Sequence, residues 1–210
     1  MTSGESIARG SKGPPMGGAN LECLLACEGL SPTKLPALIG ICHRHGFKLI
    51  DHESLLAYGD DLVDPQIVEH AKSLAAFVET MEHQESRKCI ANLDGTLLDT
   101  QTGLSVLLDL EKQVVVVSVP EDVLWRFEVN AENADIKRLV AFSDLCREVA
   151  SEIDASLGYL GTEELHPEDM VTSGTEAHGA TRVDDHFFSD TRLKELFDWY
   201  TGFYVNRWKE

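Results

Sequence analysis

Apolar residues recur along this chain at two different spacings, and the change from one to the other divides it into helices and strands. Leu35, Leu38, Ile39 and Cys42 follow Ser31-Pro32 at helical spacing, where Ser31 reads as an N-cap and Pro32 as the first helical residue; Gly46 closes the pattern. Phe47 to Ile50 then reads as a short strand. The same start signal recurs at Asp64-Pro65 and predicts a helix to about His83 whose buried face carries Ile67, Ala71, Leu74, Ala75 and Val78. The clearest helical period runs from Asp135 to Leu157. Ile136, Leu139, Val140, Cys146, Val149, Ala150 and Ile153 line one side there, and Gly158 stands as the terminator. A last helix from about Thr191 carries Leu193, Leu196, Phe197 and Tyr200 on its apolar stripe, with Trp199 and Trp208 nearer the edges.

Between these helices the period shortens to two. Leu104, Val106, Leu108 and Leu110 alternate with smaller or polar residues, the run Val114 to Val117 follows, and Val123, Trp125, Phe127 and Val129 alternate again. Asp94-Gly95, flanked by apolar residues, has the chemistry of a tight hairpin turn, since glycine supplies positive φ without strain. Tyr159-Leu160 adds a further strand. The expected fold is α+β: an antiparallel β-meander of four to six strands, covered on one face by amphipathic helices, with the 31–83 region closing an edge or an end. Residues 1–19, rich in Gly, Ser and Pro, bury too little apolar surface to offset their ordering entropy and are expected to form a disordered tail. Residues 20–210 then make a single domain.

The stretch Cys89-Ile90-Ala91-Asn92-Leu93-Asp94-Gly95-Thr96 has a second aspect. It resembles the first motif of the haloacid-dehalogenase phosphotransferases, in which an apolar strand delivers Asp-x-Asp-Gly-Thr, with Asn92 standing at the nucleophile position. Ser118, Lys137 and the pair Asp184-Asp185 can be set against the later motifs of that family. The resemblance implies a degenerate phosphotransferase-like fold, because an amide does not form the aspartyl-phosphate intermediate.

Charge narrows the choice of partners. Thirty-six acidic residues against eighteen basic ones give a formal charge of −18, which disfavours nucleic acid and anionic membranes, since both require Lys and Arg to neutralise phosphate. A basic protein partner is favoured instead; the other source of such a charge is adaptation to a salty cytoplasm. The five cysteines, Cys23, Cys27, Cys42, Cys89 and Cys146, form no Cys-x-x-Cys pair and read as reduced, buried thiols of a cytoplasmic protein, with Cys23 and Cys27 spaced to share a helix face. No apolar run reaches membrane-spanning length.

Candidate chemistry is sparse. His43, His45 and His52 with Asp51 or Glu53 lack the spacing of a metal site, and His178, Asp184, Asp185 and His186 lie in a stretch with no regular period to fix their geometry. No catalytic residue, cofactor or metal is therefore assigned. The aperiodic 162–190 stretch supplies Glu163, Glu164, Asp184 and Asp185, which stand as the residues expected to contact a partner. In general character the chain resembles bacterial toxin-immunity proteins and other nuclease inhibitors, and that resemblance implies neutralisation of a basic protein. The sequence leaves the partner's identity and the oligomeric state open.

Overall fold

The computed structural model describes residues 20–50, 54–59, 65–69, 74–84, 86–124, 135–162 and 180–207. Within them lies one antiparallel sheet built from β1 (Asn20–Ala26), β2 (Phe47–Leu49), β3 (Leu55–Tyr58), β4 (Ile67–Glu69), β5 (Lys88–Leu97), β6 (Thr100–Asp109), β7 (Val114–Pro120), β8 (Leu157–Thr162) and β9 (Thr181–Arg182). Eight of these follow the order β4-β3-β5-β6-β7-β1-β8-β9, and β2 joins β5 beside that path. Along one edge of β5, β3 pairs with residues 88–91 and β2 with residues 93–95, so one ten-residue strand carries two short neighbours end to end. The described residues also form four helices: α1 (Leu35–Arg44), α2 (Leu74–Gln84), α3 (Ile136–Glu152) and α4 (Asp190–Arg207).

Burial separates the two faces of the sheet. Leu21, Cys23 and Leu25 of β1, Cys89, Ala91 and Leu93 of β5, Leu104, Val106 and Leu108 of β6, and Val115, Val117 and Val119 of β7 share one core with residues of all four helices. The helices thus cover one face, as the amphipathic stripes predict. On the opposite face Leu24, Val114, Val116 and Ala180 form a smaller cluster, with Leu107, Leu157 and Tyr159 against it. This explains why Val114 to Val117 is apolar without interruption: β7 is buried on both faces at its start, and β-branched side chains suit that environment.

The α1, α3 and α4 stripes hold. Leu35, Leu38, Ile39 and Cys42 are buried, as are Leu139, Cys146, Val149, Ala150 and Ile153, and then Leu193 and Tyr200. Pro32 opens a short 3-10 turn, Pro32–Lys34, that leads into α1, and Gly46 beyond the helix takes φ +90. At α3 the carboxylate of Asp135 caps the helix by accepting from the Lys137 N–H at 3.0 Å.

Several expectations need correction. Asp94 and Gly95 are not at the turn; they lie within β5 opposite Gly103 and Thr102, and the chain reverses at Leu98-Asp99, with Leu98 at φ +54. Glycine is needed at 95 for another reason: a Cβ there would stand 2.5 Å from the Gly46 carbonyl oxygen and 2.7 Å from Phe47 Cα, so its absence lets β2 close onto β5. Cys23 sits on a strand in the middle of the sheet rather than on a helix. Pro65 does not open a helix, because Ile67 enters β4 and pairs with Ala57; the helix begins at Leu74 and buries Phe77, Val78 and Met81, with Ala75 exposed. Val123 and Leu124 form a 3-10 turn instead of starting a strand, while Trp125, Phe127 and Val129 lie outside the described residues. The third helix stops at Glu152, five residues before Leu157, and Gly158 belongs to β8. The sheet is wider than four to six strands because the 20–69 and 157–182 regions both contribute to it. The 1–19 stretch lies outside the described residues.

Candidate functional site

Two of the four acidic residues singled out above, Asp184 and Asp185, line the wall of a cavity of about 620 Å³. One wall is the end of α3. Its last turn closes through Ile153 N–H to Val149 O at 3.2 Å and Ala155 N–H to Ala150 O at 2.9 Å, and Asp154 takes φ +52 in the position that commonly ends a helix. That reversal brings Asp154 to the cavity, and the chain passes directly into β8 through Ser156 N–H to Ala26 O at 2.9 Å.

The other wall is the compact turn between β9 and α4. Asp184 organises it: its carboxylate accepts the His186 N–H at 2.8 Å, and its carbonyl accepts the Phe187 N–H at 3.1 Å. Ser189 then caps α4, with its hydroxyl oxygen accepting the Arg192 N–H at 3.3 Å and its carbonyl the Leu193 N–H at 2.9 Å. Asp190 in the first turn complements the positive end of the helix. Phe187 and Phe188 anchor the turn in the core edge to face, with centroids 4.6 Å apart at 89°. Phe187 lies on Gly158, where a Cβ would fall 2.5 Å from the ring's Cζ.

Arg147 joins the two walls. Its guanidinium donates to Asp144 Oδ1 at 2.8 Å and to the Phe188 carbonyl at 2.9 Å, and it lies 5.5 Å from the centroid of the Phe188 ring. The cavity is therefore lined by four carboxylates, Asp154, Asp184, Asp185 and Asp190, against one guanidinium that is already engaged. Ser151 and Ser189 add hydroxyls, and Ala150, Val183 and Phe188 add apolar surface. Such a lining has a net negative field and a partly apolar floor, which suits a cationic side chain with an aliphatic stem.

The remaining candidates are dispersed. Glu163, Glu164 and His178 lie outside the described residues, as do Asp51, His52 and Glu53. His45 Nε2 lies 2.9 Å from Glu148 Oε1 and Arg44 donates to Glu148 Oε2 at 2.7 Å, which links the end of α1 to α3. Among the described residues no group of three or more His, Cys, Asp or Glu side chains is arranged to hold a metal ion. The five thiols are free and buried. Burial pushes Cys42 and Cys89 up to about 12, and burial first, then its hydrogen bond with Cys23 and the nearby Cys42, holds Cys146 well above the usual thiol value.

Of the residues set against the phosphotransferase motifs, the register brings two together. Asn92 pairs with Ser105, Ser105 with Ser118, and Ser118 with Glu22, in one row across the face away from the helices; the Ser105 hydroxyl donates to Asn92 Oδ1 at 3.2 Å. Asn92, Ser105 and Ser118 of that row line a hollow of about 390 Å³ with Asn20 and Asp94. Lys137 belongs to α3 in the helical layer, and Asp184 and Asp185 follow β9 at the far edge of the sheet. After Thr96 the chain turns into an antiparallel strand.

Two residues were not visible in the sequence pattern. Asp154 belonged to a longer predicted helix, and Arg138 lay off the apolar stripe of α3. Arg138 is only 1% exposed and its guanidinium donates to Asp99 Oδ1 at 2.9 Å, pinning the β5–β6 turn to α3. No protein-family model matches the chain, and no curated protein matches it.

Proposed function

We propose that this protein works by binding a basic protein partner, and that the cavity between α3 and α4 is the centre of the contact surface. The observation that carries the reading is the convergence of Asp154, Asp184, Asp185 and Asp190, from two separate segments, on one cavity. A carboxylate cluster of this kind occupies the place that nucleic-acid phosphates would take in a basic cleft, so it accelerates encounter and blocks the cleft in one step. Inhibition of a basic enzyme, in the manner of immunity-type proteins, is the form of binding that the acidity of the whole chain supports. Glu163 and Glu164, between β8 and β9 in the sequence, are proposed as further partner contacts on their acidity alone.

The test is capture of partners from the source cells on the full-length protein, followed by the salt dependence of the association rate with the partner recovered. A basic partner is expected, with association slowing steeply as ionic strength rises, because the Debye length falls to about 8 Å at physiological salt. The combined variant Asp154→Asn, Asp184→Asn, Asp185→Asn and Asp190→Asn should slow association at least about tenfold at low salt. An unchanged rate in a folded variant removes the cavity from the interface. Recovery of no basic partner, together with a protein that simply becomes more stable as salt rises, assigns the charge to salt adaptation.

A further inference from the structure

We draw no further inference here: the strongest candidate, the acidic cavity between the end of α3 and the turn before α4, belongs to the site already described, and among the described residues no buried unpartnered side chain points to a particular guest within it.

Discussion

The side-chain amide of Gln113 holds both backbone polar groups of Leu30: its Oε1 accepts the Leu30 N–H at 2.7 Å, and its Nε2 donates to the Leu30 carbonyl at 3.2 Å. The same Nε2 reaches the Leu110 carbonyl at 2.6 Å, and the Gln113 carbonyl accepts the Cys27 N–H at 3.0 Å. One residue thereby fastens the exit of β1 to the β6–β7 turn, doing with a side chain what a strand does with its backbone. Gln113 has φ +56, so it bears conformational strain for this role. Gln113→Ala should cost about 2 to 3 kcal/mol, from the stranded polar groups of Leu30 with the strain retained. Gln113→Gly should cost about 1 kcal/mol less, because glycine adopts that φ freely. Urea unfolding of the two variants checks the order; equal costs would show that strain plays no part.

Arg138 and Asp99 form an asymmetric ion pair, with the guanidinium buried and the carboxylate 57% exposed. Removing the acid is expected to hurt more than removing both charges. Asp99→Ala should lose about 1 to 2 kcal/mol, less than for a fully buried pair because water partly screens Asp99. Adding Arg138→Met should recover much of that loss, since a buried unpaired charge is gone and the volume is kept. A double-mutant cycle by thermal or urea unfolding measures it, and an additive pair of losses would refute the coupling.

The thiols should be slow to react. Cys42 and Cys89 are raised to about 12, and Cys27 and Cys146 are raised as well, in each case chiefly by burial, so the thiolate fraction near neutral pH is very small. Iodoacetamide should label the folded protein at the rate of its opening, and all five sites should react quickly in denaturant. Rapid labelling of any core cysteine under native conditions would contradict the packing between the sheet and the helices.

Glu148 sets a small acid dependence. Its hydrogen bond from Arg44 first, and its contact with His45 second, hold its carboxyl below the usual value of 4.5. With the folded value depressed, the unfolded chain takes up the proton first as pH falls. The stabilisation is therefore complete above the unfolded value and is lost as pH drops from about 4.5 through the folded one. Glu148→Gln should flatten the stability profile in that window by well under about 1 kcal/mol, because the pair is exposed. Unfolding free energies across that window test the sign, and a steeper profile in the variant would overturn it.

The helices α1, α3 and α4 were legible because each covers a single face of the sheet, so burial imposes a helical period on the sequence. The alternation of Leu104, Val106 and Leu108 was legible for the corresponding reason in a strand. What escaped depends on contacts between distant segments. Leu21 to Leu25 carries apolar residues toward both faces because Leu24 packs into the smaller cluster on the face away from the helices, and this erases the alternation that marks a half-buried strand. Gly95 looked like a turn residue because local chemistry cannot reveal that β2 will pack against it. At the site, acidity pointed to Asp184 and Asp185, whereas Asp154 joins them only because α3 ends before the apolar period does.

The central place of β1 has a consequence for the order in which the chain can assemble during synthesis. Its partners are Val114 to Pro120 on one side and Leu157 to Thr162 on the other, so the earliest of the described strands to be synthesised is among the last of them to be paired. The β5–β6–β7 meander closes through short turns and has the low contact order of a fast early step. Until β1 inserts, β7 and β8 each present a ladder edge that attracts other chains, and the acid excess of this sequence then acts as protection, keeping incomplete molecules apart by mutual repulsion.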